Sequence, residues 1–371
     1  MASYDVVVAG LGGFGSATAY HLAARGHRVL GLDPHPAGHA FGASHGESRI
    51  VRQAYFEGSA YVPLLRRGVE LWERLVRDAG EPMLRETGGL FLGRPGTRIF
   101  EGSLASARDW DITHEVLDAD EVSARFPAFR PPPGTAALYE PRAGVVPPER
   151  AVLAHLRLAA AAGAQLRHGQ PMLGWEPRGG AVRVHTAAGS VDAGALVLAT
   201  GRWAPDVLAG LGLPLRVEPR VMHWFAPSGG VAPYEPGRFP LWIWERDDGT
   251  APYGVPALAG AAGGVKASVH RSAVRPAGSW TAQEVARLLG GLLPGLGAEH
   301  LRSVECAYTL TPDEHFVVGR HPRVPAVVLA CGFSGHGFKF TPVLGEALAD
   351  LATGAEPAYD LAMFAPGRFA A

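Results

Sequence analysis

Apolar and polar positions alternate along the first 33 residues in a way that predicts a strand, a helix and a second strand. Residues 4–9 and 28–32 have the length and composition of buried strands, and residues 16–25 place apolar side chains on one helical face. The second strand ends at Asp33. The turn after the first strand contains three glycines, which are Gly10, Gly12 and Gly15. The pattern therefore predicts a βαβ unit with a glycine-rich first turn.

This βαβ unit has the order of residues that binds dinucleotides. Glycines make the turn tight and let a pyrophosphate approach the backbone, and an acid about twenty residues further on binds the ribose hydroxyls. Asp33 is in that position, and an acid there disfavours a phosphorylated ribose. We therefore expect FAD or NAD rather than NADP as the cofactor.

The rest of the chain predicts an α/β fold with two domains. Apolar runs near residues 195–201 and 327–332 resemble buried parallel strands, and residues 304–318 are expected to return to the same sheet. Residues 216–300 instead show short alternating segments typical of an antiparallel sheet. We predict a discontinuous, doubly wound (Rossmann-like) cofactor domain at residues 1–85, 145–215 and 302–371. A second, mainly antiparallel α+β substrate domain is predicted at residues 86–144 and 216–301.

Composition limits the class of protein. The chain has 371 residues and a formal net charge of −1, so neither a nucleic-acid partner nor a charged membrane surface is expected. The N-terminus leads directly into a strand, and no run is long enough to span a membrane. Two cysteines, Cys306 and Cys331, are too few for a disulfide framework. We expect a cytoplasmic protein that works as a monomer.

Lysine is nearly absent, which makes the two that remain informative. Of 34 basic residues only Lys266 and Lys339 are lysines, and asparagine does not occur at all. This bias is typical of a GC-rich genome, in which a surface lysine is easily replaced by arginine. Lysine differs from arginine in its compact charge and in a pKa that falls on burial, and both properties matter in sites. We therefore expect both lysines to lie in a functional site.

Polar residues cluster in three further segments. The loop at 331–340 combines glycines with a titratable His336 and with Lys339, and Thr341 is expected to cap the helix that follows. A polar loop after the βαβ unit carries Arg49 and Arg52, which suit a carboxylate or a reduced flavin anion. Near residue 266 the period of a strand places Lys266 and His270 on one face. The aromatic residues expected to line the same cavity are Trp242, Trp244 and Tyr253.

Three segments of the predicted cofactor domain together favour FAD over NAD. They are the glycine turn at 10–15, the strand that ends in Thr200-Gly201 and the glycine loop at 332–337. One long cofactor bound across a split domain requires all three. The chain also resembles the flavin amine oxidases of the monomeric sarcosine oxidase and N-methyltryptophan oxidase group along nearly its whole length. The motifs that carry the resemblance are Ser44-His-Gly-Glu-Ser-Arg-Ile-Val-Arg52, Glu57-Gly58, Cys306-Ala-Tyr308, Asp313-Glu-His-Phe316 and Gly332-Phe-Ser-Gly-His-Gly-Phe-Lys-Phe340.

The resemblance implies a role for each matching residue. It implies FAD attached through a thioether from Cys306, oxygen activation by Lys266, and binding of a substrate carboxylate by Arg52 and Lys339. We accordingly predict catalytic roles for Lys266, Arg49, His270 and Tyr253. Substrate binding is predicted for Arg52, Lys339, His336 and Trp244. Cofactor binding is predicted for Gly10, Gly12, Gly15, Asp33, Ser44, Arg49, Cys306, Gly335, Gly337 and Lys339.

These roles describe an oxidase of a secondary-amine amino acid that takes small-molecule substrate and O2 and releases an imine and H2O2. Gln53, Phe56 and the aromatic segment at 242–249 depart from the family pattern, so an N-methyl amino acid larger than sarcosine, a cyclic imino acid or another secondary amine fits as well. Two alternatives remain open. One is a flavin-dependent dehydrogenase that passes electrons to another acceptor, and the other is a flavin-fold binding module without catalysis.

Overall fold

The computed structural model describes residues 4–297 and 299–369, and in this part of the chain it contains nineteen strands. The first eleven are β1 Tyr4–Ala9, β2 Val29–Asp33, β3 Arg49–Val51, β4 Arg85–Glu86, β5 Gly89–Gly93, β6 Glu115–Asp118, β7 Ala136–Glu140, β8 Gly144–Val146, β9 Gln165–His168, β10 Gly174–Arg178 and β11 Ala181–Thr186. The others are β12 Gly189–Leu198, β13 Arg216–Ala226, β14 Leu241–Trp244, β15 Ala251–Val255, β16 Val265–Arg271, β17 Glu299–Leu310, β18 Val317–His321 and β19 Val324–Cys331.

The helices of the same residues are α1 Gly13–Ala24, α2 Val62–Ala79, α3 Arg98–Asp109, α4 Ala119–Arg125, α5 Pro148–Ala161, α6 Ala204–Val207, α7 Gly260–Gly263, α8 Ala282–Leu289 and α9 Thr341–Ala352. Helix α2 is amphipathic, and its buried side chains include Leu65 and Trp72. Across residues 4–297 and 299–369, no helix combines the length and the apolar character that crossing a bilayer requires.

The first sheet is the doubly wound sheet expected from the sequence. Its centre is parallel, in the order β9-β2-β1-β12-β19, and β18 closes one edge in antiparallel fashion. Strand β12 pairs with the β10–β11 hairpin through its first half and with β19 through its second half. The central strands are buried on both faces. On one face Val6 and Val8 of β1 share a core with α1 and α9, and on the other face Val7 shares a core with Val182 and Val184 of β11.

The second sheet has the order β17-β13-β16-β15-β14-β5-β7-β6 and is antiparallel except between β14 and β5. One prediction about it was wrong. Residues 304–310 were expected in the cofactor sheet, but β17 pairs with β13 along its whole length. The apolar pattern of a strand does not specify its partner, since pairing joins residues far apart in sequence. The predicted domain boundaries stay a proposal. Cys306 lies on β17 and therefore belongs to the second sheet.

Candidate active site

A cavity of about 310 Å³, called here the dinucleotide cavity, lies at the carboxyl ends of the parallel strands. The segments that follow β1, β2, β12 and β19 all contribute to its lining. In doubly wound sheets, ligands bind outside these strand ends. The predicted cofactor residues in its lining are Gly10, Gly12, Asp33, Ser44, Arg49, Cys306, Gly335 and Gly337.

The glycine turn is held so tightly that a side chain has no space at two of its three positions. A Cβ on Gly15 would overlap the carbonyl oxygen of Gly10, and a Cβ on Gly10 would meet the carbonyl of Ala199. Gly10 also has a φ of 91°, which favours glycine. Gly12 has more room and faces the cavity. Gly15 therefore acts through packing of α1 on the turn, since it does not line the cavity.

Polar groups of the dinucleotide cavity fit a large polar ligand. Asp33 accepts hydrogen bonds from the backbone N–H groups of Leu11 (2.7 Å) and His35 (2.8 Å), which fixes its carboxylate beside the turn. Ser44 Oγ accepts from the N–H of Gly13 at 3.1 Å. The buried hydroxyl of Thr200 lines the cavity and has no partner in the described part of the chain. An unpaired buried hydroxyl in a ligand cavity is what a bound polar group would satisfy.

A second cavity of about 90 Å³, called here the inner pocket, continues from one end of the dinucleotide cavity. Its lining brings together seven residues that were predicted to be catalytic or to bind substrate, and they come from distant parts of the chain: Arg49, Arg52, Tyr253, Lys266, His270, His336 and Lys339. Five residues line both cavities, namely Arg49, Cys306, Tyr308, Gly335 and Phe338. A long ligand in the first cavity would therefore end beside Cys306, at the entrance to the inner pocket.

The thiol of Cys306 is placed for chemistry, whereas the thiol of Cys331 is not. Burial opposes ionisation of Cys306, but the neighbouring His45 imidazole and the Arg49 guanidinium outweigh it and lower the thiol pKa to about 7. Arg49 Nη2 lies 3.7 Å from Cys306 Sγ. For Cys331, burial raises the pKa to about 12, and neither cavity is lined by it. A thiol with a lowered pKa beside a cavity is nucleophilic near neutral pH.

Lys266 is buried on β16 at 3% exposure, and its ammonium group is fixed by three acceptors. Its Nζ donates to the carbonyls of Gly46 and Ser48 and to the Ser48 hydroxyl, each at 2.9 Å. Burial, with the nearby charge of Arg49, lowers the pKa of Lys266 well below its ordinary value. The three acceptors stabilise the protonated form against this shift, and they fix the amino group of Lys266 in a dry environment.

A second buried group of charges combines two cations with one carboxylate. Arg52 donates twice to Glu57, at 2.6 and 2.8 Å, and its guanidinium stacks on the rings of Tyr55 and Phe56. Lys339 Nζ donates to the carbonyl of His336 at 2.6 Å. Burial opposes ionisation of Glu57, but Arg52 and its neighbours lower the pKa to about 2. When Lys339 is protonated, the Arg52–Glu57–Lys339 cluster therefore has two positive charges and one negative charge. It can accept one further anion.

Lys339 is the titratable member of this cluster. Burial and the nearby Arg52 charge lower the pKa of its ammonium group to about 7. Its backbone lies in the turn Phe338–Phe340, immediately before α9. Thr341 was expected to cap this helix, but it is the first helical residue and makes no capping bond. The segment 338–340 coils into a 3₁₀ turn, which extends the helical path past the predicted cap.

Two histidines in the inner pocket are neutral. Burial lowers the pKa of His336 to about 3 and lowers that of His270 well below its ordinary value. His336 Nδ1 pairs with the hydroxyl of Tyr55 at 2.5 Å, and its Nε2 pairs with the carbonyl of Glu314 at 3.0 Å. Glu314 has a left-handed φ of 61°, and its side chain forms ion pairs with Arg271 and Arg98. Glu314 thus connects His336 in the pocket wall to two arginines at the surface.

Trp244 was predicted to bind substrate, and this prediction was wrong. Trp242 and Trp244 pack into the apolar core between β14 and the helices of the second sheet, and neither lines the inner pocket. Ile243, between them, faces the pocket instead. Side chains alternate along a strand, so two tryptophans two residues apart share one face. The sequence does not show which face of β14 the pocket occupies.

Sequence reasoning missed several residues of the inner pocket, among them Tyr308, Glu57 and Arg220. Tyr308 lies two residues after Cys306 on β17, so the period of a strand could have placed both on one face. Glu57 follows Arg52 by five residues, and its proximity to a predicted cationic site was a weaker signal. Arg220 is one of 32 arginines and gave no signal in the sequence.

Fold and cavities define a flavoprotein-type oxidoreductase, in which a dinucleotide cavity meets a small pocket of buried cations. The family model DAO, FAD dependent oxidoreductase, matches residues 5–351. The chain belongs to this family, within its sarcosine oxidase and N-methyltryptophan oxidase group. It is therefore an FAD-dependent oxidoreductase, as the sequence predicted.

Several known proteins are similar over the full length. The chain is 47% identical to a monomeric sarcosine oxidase of Streptomyces avermitilis, with 100% of this chain and 98% of the relative covered. It is 33% identical to N-methyl-L-tryptophan oxidase of Salmonella heidelberg, with 99% of each covered. Among solved structures, NikD, an unusual amino acid oxidase essential for nikkomycin biosynthesis, has a TM-score of 0.83 at 28% identity, with 99% of this chain and 98% of NikD covered.

Proposed function

We propose that this protein oxidises a secondary-amine amino acid, N-methyl or cyclic, with FAD and O2, and releases an imine and H2O2. The observation that carries the proposal is that the only two lysines of the chain, Lys266 and Lys339, line one small pocket together with Cys306. The names of the relatives, sarcosine oxidase and N-methyl-L-tryptophan oxidase, support the same substrate class. The name of the first also supports a monomer, while a cytoplasmic location stays a prediction.

The residues of the dinucleotide cavity fit FAD, with Gly10, Gly12 and Asp33 at its nucleotide end and Cys306 at the other end. Bound FAD would supply the acceptor for the hydride of the amine and would pass the electrons to oxygen. The nucleophilic Cys306 thiol suits a thioether to the flavin, and Arg49 beside it suits negative charge on the reduced ring.

Substrate binding follows from the charge of the Arg52–Glu57–Lys339 cluster. A substrate carboxylate supplies the anion that this cluster lacks and fixes the reacting carbon in the pocket. The same cations disfavour a protonated substrate amine. Neutral His270 and the phenol of Tyr253, whose pKa is raised by burial, can contact that amine without adding charge.

Lys266 is assigned to the oxygen step. Negative charge develops on dioxygen when it takes an electron, and a fixed ammonium group in a dry pocket stabilises that charge. Gly46 and Ser48 hold the ammonium group in place beforehand, so no reorganisation is needed at the moment of reaction.

The proposal is tested by assaying sarcosine, larger N-methyl amino acids, cyclic imino acids and primary amino acids for H2O2 in air. We expect peroxide with secondary amines and far less with primary amines. Substrate-dependent bleaching of the flavin without peroxide would instead indicate a dehydrogenase. No flavin reduction by any member of the panel would contradict the proposed substrate class.

The thioether predicts a specific mass. Under denaturing conditions the chain should be heavier by one FAD, and the flavin should stay with the protein in acid, because a carbon–sulfur bond survives unfolding. Cys306→Ser should lose this added mass, while the matched variant Cys331→Ser should keep it, because Cys331 lies outside both cavities. Flavin that is fully released from the unaltered chain by acid would exclude the assignment.

Replacing the ammonium group of Lys266 should slow reoxidation selectively. We expect Lys266→Met to lower the rate of reaction with O2 by about 10²- to 10³-fold, which is typical of removing one preorganised charge donor. Anaerobic flavin reduction should change much less. Stopped-flow measurements of both half-reactions check this, with Lys339→Met as the matched control that should weaken reduction by substrate. Equal losses in the two half-reactions of Lys266→Met would count against its role.

Carboxylate binding should depend on the protonation of Lys339. Below pH 7 the ammonium group is charged and attracts an anion, and above pH 7 the proton is lost and the cluster becomes neutral. Acetate affinity should therefore fall as pH rises, by up to about tenfold per unit above pH 7. Titrations followed by flavin absorbance measure this. Lys339→Met should abolish the trend, since His336 and Glu57 do not titrate there; a trend that persists would refute the assignment.

A further inference from the structure

A third cavity, of about 460 Å³ and called here the vestibule, adjoins the inner pocket. The residues that line both of these cavities are Phe56, Arg220, His270 and Tyr308. The inner pocket is small, about 90 Å³, and its cationic cluster is suited to the amino-acid carboxylate. A substrate side chain of any size therefore extends past these four residues into the vestibule.

The vestibule carries an excess of positive charge. Its lining contains five arginines and three carboxylates, and Arg275 is paired with Glu284 outside the lining, which leaves an excess of one positive charge. The arginines are Arg98, Arg216, Arg220, Arg271 and Arg275, and the carboxylates are Glu218, Glu245 and Glu314. Two carboxylates are each shared between two guanidinium groups. Glu218 pairs with Arg216 and Arg220, and Glu314 pairs with Arg98 and Arg271.

Arg220 lines both the inner pocket and the vestibule. Its side chain is 8% exposed, pairs with Glu218 at 2.7 Å and stacks over the ring of Tyr308 at 4.4 Å. Its Nη1 donates to the carbonyl of Pro219, but its buried Nε has no hydrogen-bond partner in the described part of the chain. Buried donors are rarely left unpaired, so the guanidinium of Arg220, which lines both cavities, has hydrogen-bonding capacity left for an anion that enters them.

We propose that the vestibule is the side-chain subsite and that Arg220 binds a second anionic group there, so that the preferred substrates are N-substituted amino acids with an acidic side chain. This inference rests on the proposed function. The α-carboxylate occupies the Arg52–Glu57–Lys339 cluster, and the distal carboxylate meets Arg220. The shared carboxylates around the vestibule leave positive potential that attracts such a dianion.

The test compares N-methyl-L-aspartate with N-methyl-L-leucine, which are similar in shape and differ in the distal charge. The holoenzyme should oxidise N-methyl-L-aspartate with a kcat/KM at least about tenfold higher, because a charge-assisted hydrogen bond contributes this much. Arg220→Gln should lower kcat/KM for N-methyl-L-aspartate by about 10- to 100-fold, mainly through KM, and change that for N-methyl-L-leucine by less than about threefold. Higher salt should weaken the reaction of the acidic substrate more than that of the neutral one, because the acidic substrate carries a second anionic group.

Arg183→Gln is the matched control. It also removes one positive charge from an arginine–carboxylate pair, but Arg183 lies on β11 and pairs with Asp192 outside the three cavities. Both substrates should behave in this variant as in the unaltered enzyme. Equal losses for the two substrates in Arg220→Gln would mean that Arg220 only supports Tyr308, and this would overturn the inference. Oxidation of the neutral substrate alone by the unaltered enzyme would overturn it as well, but would leave the proposed function standing.

A binding measurement separates the two proposals when turnover is low. Succinate should perturb the flavin absorbance at lower concentration than butyrate, and Arg220→Gln should remove that difference. Equal affinities in the unaltered enzyme would refute the inference. If Arg220→Gln does not yield folded flavoprotein, the salt dependence and the succinate–butyrate comparison in the unaltered enzyme decide the matter.

Discussion

Burial of several cations in one small pocket is the constraint on which the rest of the structure depends. A buried charge is tolerated only when partners replace its water. Lys266 is satisfied by oxygens of the loop after the βαβ unit, and Arg52 is satisfied by Glu57. Lys266 lies on β16 whereas its partners lie in the loop at 43–58, so this loop has to be closed against β16 before the pocket exists. The positive charge left over gives the pocket its preference for an anion.

The two sheets contribute different kinds of groups to the site. The parallel sheet supplies the glycine turn, the acid at the end of β2 and the glycine loop after β19, all of which are backbone-rich features. The antiparallel sheet supplies side chains, with Cys306 on β17 and Lys266 on β16. A ligand that spans both is therefore held by backbone at one end and by side-chain chemistry at the other.

Local features could be read from the sequence, and non-local ones could not. The first βαβ unit and α2 follow from glycine, charge and period within short windows, and Lys266 and Lys339 were found because the composition made them rare. The partner of β17 and the face of β14 that carries Trp244 depend on pairing between distant residues, which a local pattern does not encode. Arg220 could not be found because its significance comes from burial and an unpaired Nε, not from its residue type.

Glu314 contacts both the wall of the inner pocket and the vestibule. Its backbone carbonyl contacts His336 in the pocket wall, while its side chain holds two arginines of the vestibule. A change at this position would disturb the wall of the inner pocket and the ion pairs of the vestibule together, so it is a poor starting point for altering specificity. Arg216, at the start of β13, lines the vestibule and does not line the inner pocket. New substrate ranges in descendants of this enzyme, whether natural or engineered, are therefore expected to arise through β13 while Glu314 is retained.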